Sequence, residues 1–252
     1  MMKSFVYALV LATLAFVAAS ETNAFEPTDP GETAVYDTRL IPAPTETRYG
    51  RGVVVFNRSL RCTLVLPNDA NRNDEFDNGL ETIRSQVSKN FDVDFQFEVK
   101  TIEELTKEIE NDTTTTSDEI EFIHKLSSDD ASFKQANGYQ CLAVGDQSMP
   151  IDASPEKLIE SRNDSSGTLL IAASDLSGFR DSFKTLRQLA ETFGIGESTA
   201  ESHYFIPEVE INDAPKISFR GMHLCWFPET RIDQIERSIR IAAYYKFNYI
   251  VL

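Results

Sequence analysis

The sequence predicts an α+β fold, a mostly antiparallel sheet with helices packed on one face, followed by one strand–helix–strand unit. Three observations predict it. Val93, Phe95, Phe97 and Val99 alternate with Asp94, Gln96, Glu98 and Lys100, which makes a strand with one wet face. Across Asp175–Glu191, Leu176, Phe179, Phe183, Leu186 and Ala190 keep to one helical face. Near the end, an apolar run at Lys216–Leu224, a helical stretch and a second apolar run at Asn248–Leu252 spell one βαβ crossover.

Taken in order, residues 1–20 read as a cleavable signal peptide. Lys3 supplies the positive start, Phe5–Ala19 carries no charge, and Ala18 and Ser20 give the small residues of a cleavage site. An apolar run of about 15 residues is short of the roughly 20 that span a bilayer, so the mature chain is expected to have no membrane span. Residues 21–52, rich in Pro, Thr and Glu, read as an extended segment.

Val53–Phe56 and Cys62–Leu66 read as strands, and Leu80, Ile83 and Val87 as the buried face of a short helix. The Thr113–Thr116 run reads as a polar loop leading into a strand around Ile120–Ile123. Tyr139–Val144 and Thr168–Ala173 read as two more strands, separated by a polar insertion. Ser174 or Asp175 caps the long helix that follows. The α+β domain is thereby assigned to residues 53–205 and the second unit to 206–252. In that unit Thr230 and Asp233 are placed to start a helix, with Ile232, Ile235, Ile239 and Ala242 as its buried stripe.

The formal charge of −16, with no basic stripe to offset it, disfavours nucleic acid as a partner. The cysteines, Cys62, Cys141 and Cys225, are odd in number and widely spaced, which fits neither a metal site nor a disulfide framework. Cys62 and Cys141 lie in apolar runs and read as buried free thiols, with one bridge left open. Sequons occur at Asn57, Asn111 and Asn163. Two acidic pairs, Asp74-Glu75 and Asp118-Glu119, read as solvated surface rather than as catalytic carboxylates.

Several motifs occur together and in order. Asp213-Ala-Pro-Lys-Ile-Ser-Phe-Arg-Gly-Met-His-Leu is followed by a helix and by Tyr245-Lys-Phe-Asn-Tyr-Ile. Upstream stand Ile41-Pro-Ala-Pro, Gly138-Tyr139-Gln, the Leu169–Phe179 run and Thr185-Leu-Arg-Gln-Leu. This set resembles the N-terminal domain and the first barrel strand and helix of family 20 glycoside hydrolases, the β-N-acetylhexosaminidases.

The resemblance implies an exported enzyme that removes terminal N-acetylhexosamine from glycans. Its mechanism is retaining, with the substrate's own acetamido group as nucleophile. No cofactor or metal is implied. The second unit becomes the start of a truncated TIM (β/α)8 barrel, since a closed barrel takes about 250 residues. The family's catalytic Asp-Glu pair has no counterpart at a barrel strand of this chain, which is expected to be inactive alone. Arg220 matches the family's Arg-Gly motif and is expected to bind sugar hydroxyls through its planar fork. Trp226, at the end of the first barrel strand, is a candidate substrate-binding residue that either stacks on a sugar ring, plugs the barrel mouth or packs on a further helix, and Cys225 stands where the family has Asp. Two alternatives stand beside this one. One is a non-catalytic exported module. The other is the N-terminal part of a family 84 hexosaminidase, against which Cys225-Trp226-Phe227-Pro228 lacks the glycines of that family's turn.

Overall fold

Strands β2 (Arg61–Leu66), β4 (Tyr139–Val144) and β5 (Thr168–Ala173) are apolar almost without interruption, and all three are buried along nearly their whole length. A strand with that composition needs cover on both faces. A computed structural model describes residues 40–251, apart from 57–59, 71, 92, 94, 112–114, 128–130, 146–166, 194, 199–200 and 226. The signal-peptide reading and the Asn57 and Asn163 sequons lie outside the described residues; Asn111 is the last residue of a helix.

The remaining elements are β1 (Glu46–Val55), α1 (Asp74–Phe91), β3 (Phe97–Thr101), α2 (Ile102–Asn111) and α3 (Ser117–Leu126). After β5 come α4 (Leu176–Phe193), β6 (Ile195–Ser198), β7 (Glu201–Asp213), β8 (Gly221–His223), α5 (Ile232–Tyr244) and β9 (Tyr249–Val251). The main sheet runs β1-β7-β4-β5-β2-β3, with β6 paired to β7. The β1–β7, β7–β4 and β4–β5 pairs are antiparallel, and β5–β2 and β2–β3 are parallel.

Helices cover both faces of this sheet, which corrects the one-face expectation. On one face α1 and α4 bury Leu80, Ile83, Val87, Phe179, Phe183 and Leu186 against Leu64, Cys141 and Ile171. On the other, α2 and α3 bury Leu105, Phe122, Ile123 and Leu126 against Val65, Leu142, Leu170 and Ala172. Neighbouring residues of one strand thus feed opposite cores. Gly178 lets α4 lie close, because a Cβ there would come within 2.4 Å of the Gly138 carbonyl oxygen.

Four local expectations change. The alternating run becomes a strand only from Phe97, and β3 is a parallel edge strand rather than an antiparallel one. Val93 and Phe95 are nonetheless buried, and Phe95 and Phe97 reach Phe183 of α4 at ring distances of 6.3 and 5.4 Å. The stretch around Ile120–Ile123 is helix, not strand: Thr116 Oγ1 accepts from Glu119 N, and Glu119 Oε2 accepts from Thr116 N, a complete capping box. Strand β1 begins at Glu46, inside the segment assigned to 21–52, and β7 extends to Asp213 between β1 and β4. Residues 206–213 therefore belong to the sheet, and the second unit starts after Asp213.

That unit is a βαβ crossover, with β8 and β9 parallel and α5 between them. β8 is shorter than the Lys216–Leu224 run. The helix is capped one residue later than expected, at Arg231, whose N–H donates to Gln234 Oε1. Its apolar stripe is not buried. Ala242 is covered, whereas Ile232 and Ile239 are exposed.

Candidate functional site

The N-terminal ends of β8 and β9 point at the α+β domain, and the charged residues of the quoted motifs gather there. Asp213 ends β7, Arg220 directly precedes β8, and Lys246 and Asn248 lie between α5 and β9. Lys246 Nζ donates to Asp213 Oδ2 at 3.2 Å and to the Tyr139 hydroxyl at 3.1 Å. Thr185 Oγ1 donates to the Asp181 carbonyl, so the Tyr139 hydroxyl donates in turn to Thr185 Oγ1, at 2.6 Å. Arg220 Nε donates to the Lys246 carbonyl at 2.9 Å and Nη1 to the Ile217 carbonyl at 3.0 Å. Asn248 closes the set: its Oδ1 accepts from Arg220 N, and its Nδ2 donates to the Ser218 carbonyl. Residues far apart in sequence thus form one bonded network.

The backbone is bent to serve it. Lys246 has φ of 61°, a left-handed conformation that glycine or asparagine usually takes just after a helix. A β-carbon there is strained by about 1–2 kcal/mol, and the buried ion pair of its side chain holds it. The preceding helix ends in matching bonds, Lys246 N to the Ala243 carbonyl and Phe247 N to the Ala242 carbonyl.

Electrostatics follow from burial. Desolvation pushes the Lys246 amine below its ordinary value, with Asp213 pulling the other way. Lys184, bonded to Asp181 Oδ1 at 2.8 Å, is pushed down for the same reason. Burial, reinforced by the Asp213 carboxylate, holds the Tyr139 phenol well above its usual range.

Beside the network lies a cavity of about 230 Å³, lined by Tyr139, Asp181, Asp213, Arg220 and Lys246 and by apolar side chains. A wider cleft of about 720 Å³ separates α1 and α4 from α5. Across it Tyr244 Oη donates to Glu191 Oε2 at 2.5 Å, and Gln188 Nε2 donates to the Tyr244 carbonyl.

The expected site residues fall as follows. Arg220 belongs to the network, its side chain largely buried, with two of its three guanidinium nitrogens spent on carbonyl oxygens. Trp226 lies outside the described residues. Asp74 and Glu75 are exposed in the first turn of α1. Glu119 is not the solvated group expected: it is buried, caps α3 and pairs with Arg61 at 2.9 Å. Cys62 and Cys141 are buried and free, and Cys225 is exposed and free. Among the described residues no three His, Cys, Asp or Glu side chains gather as a metal site, and no helix is long and apolar enough to cross a membrane. Sequence reasoning passed over Tyr139, Asp181 and Lys184. The one signal for Lys246 was the Lys-x-Asn motif, to which no task was attached.

No protein-family model and no curated protein matches the chain. Solved structures do. A GH20 exo-β-N-acetylglucosaminidase of Vibrio harveyi is 17% identical, covering 91% of this chain and 27% of its own length, at a TM-score of 0.45. The GH20 β-N-acetylhexosaminidase of Streptomyces coelicolor A3(2) is 15% identical, covering 84% and 34%, at 0.45. CpGH84B is 14% identical, covering 88% and 30%, at 0.44. The chain therefore spans about a third of these solved chains or less.

Proposed function

We propose that this chain forms the N-terminal domain and first strand–helix–strand unit of an exported glycoside hydrolase of the β-N-acetylhexosaminidase type. Its substrate class is glycans ending in N-acetylhexosamine, and its reaction is substrate-assisted retaining hydrolysis. The observation that carries the reading is the network itself. Lys246, braced inside the βαβ unit by Arg220 and Asn248, bonds that unit to Asp213 and Tyr139 of the α+β domain. Motifs that are scattered in sequence but bonded in space are expected if they serve one architecture.

In this reading Arg220 serves by position rather than by touching sugar. It stands at the N-terminal end of β8, whereas parallel βα folds bind substrate at the C-terminal ends of their strands. Trp226, three residues after β8 in the sequence, is the residue proposed to stack on the sugar. The exposed Ile232, Ile239, Tyr249 and Val251 suit a surface that further βα units cover. The catalytic pair would come from those units. The test is turnover of a chromogenic β-N-acetylglucosaminide. Residues 1–252 alone are expected to show none, and a protein extended through a whole barrel is expected to hydrolyse it. Turnover by the 252-residue chain, or none by the extended protein, contradicts the proposal and favours a non-catalytic module in the second case.

A further inference from the structure

Five charged side chains are buried together where the βαβ unit meets the sheet. Lys184, Arg220 and Lys246 face Asp181 and Asp213, with side-chain exposures of 15, 18, 5, 6 and 12%. Three cations against two carboxylates leave one positive charge over. Buried charge without a partner is costly, and such groups are found paired or liganded. The surrounding charges deepen the imbalance. Arg180 lies 3.9 Å from Asp181, and Lys216 lines the adjoining cavity. Asp175, on the same helix end, already accepts the N–H groups of Asn137 and Gly178.

The cavity of about 230 Å³ is where that surplus points. Its other walls are the apolar Pro42, Ala43, Ala214, Pro215 and Ile217 and the uncharged Thr45 and Asn137, none of which offers a countercharge. Arg220 Nη2 makes no hydrogen bond among the described residues, its nearest carboxylate oxygen being 3.7 Å away. Lys246 Nζ spends two of its three protons, on Asp213 and Tyr139. Donors of Arg220 and Lys246 are therefore left over at the wall of this cavity.

We infer that this cavity is a site for one small monovalent anion, a carboxylate or a halide, bound beside Arg220 and Lys246 and completing the charge of the junction. The anion cements the βαβ unit to the sheet and is not a substrate. A carboxylate or a halide meets the two donors left over, Arg220 Nη2 and Lys246 Nζ, through charge-assisted hydrogen bonds.

The test is thermal unfolding of the full chain against added acetate or chloride. Ionic strength is held constant with the salt of a bulky sulfonate buffer. Either anion raises the midpoint saturably, by about 4 °C at ten times its dissociation constant. Lys246→Met leaves two cations against two carboxylates and removes the saturable rise. Asp181→Asn leaves three against one and steepens it. Chloride-35 line broadening reads the same binding in the native protein and is lost in Lys246→Met, or in Lys184→Met should the first variant not fold. A midpoint and a chloride linewidth that follow ionic strength alone overturn the inference. The surplus charge is then relieved by a lysine that gives up its proton.

Discussion

Lys246 Nζ sits 3.2 Å from Asp213 Oδ2, joining the loop after α5 to the last residue of the sheet's longest strand. Both side chains are nearly inaccessible, so neither can be removed without stranding the other. Asp213→Ala is expected to cost about 3–5 kcal/mol, the usual penalty for an uncompensated buried charge. Adding Lys246→Met should recover a large part of that loss. Urea unfolding of the two single variants and the double variant measures the coupling, and additive losses would show that the pair does not interact.

Glu119 works locally. Its carboxylate accepts from Thr116 N and pairs with Arg61, which is half exposed and so adds little. Glu119→Ala should cost about 1–2 kcal/mol, most of it from the lost cap. Arg61→Ala should cost a few tenths of that, and equal losses would contradict the assignment.

The thiols should divide one against two. Burial pushes Cys62 and Cys141 well above their ordinary values, whereas Cys225 is exposed. Native protein at pH 8 should release one equivalent in a thiol titration, and urea should expose two more. Because the folded values are raised, the stability these thiols contribute is present below the unfolded value near 9 and is lost as pH rises beyond it. A Cys62→Ala/Cys141→Ala double variant should lose stability less steeply between pH 9 and 11.

Much of the α+β domain was legible because its strands and its longest helix are strongly patterned. Tyr139–Val144 and Thr168–Ala173 carry the same bounds in structure and sequence. Helices on the second face were missed although a signal was present. Unbroken apolar runs such as Thr168–Ala173 need two covered faces, and only one helical layer had been assigned. Ile120–Ile123 was misread because four residues satisfy either period, and the Thr116–Glu119 capping box that decides the matter was overlooked. Lys246 was hidden for a different reason: a buried lysine in a left-handed turn leaves no periodic trace, and its partners are 33 and 107 residues away.

The central claim is that the motif residues clamp the βαβ unit onto the α+β domain. Amide hydrogen exchange of Arg220→Gln against the parent chain tests it most directly. Losing the charged hydrogen bonds by which Arg220 holds the Lys246 and Ile217 carbonyls, and with them the placement of Lys246 against Asp213, should speed exchange in Gly221–His223 and Tyr249–Val251 on the order of tenfold or more. Tyr139–Val144 and Thr168–Ala173, held by the sheet on both sides, should keep their protection. Unchanged exchange in β8 and β9 would contradict the clamp and return Arg220 to the role of a sugar-binding side chain.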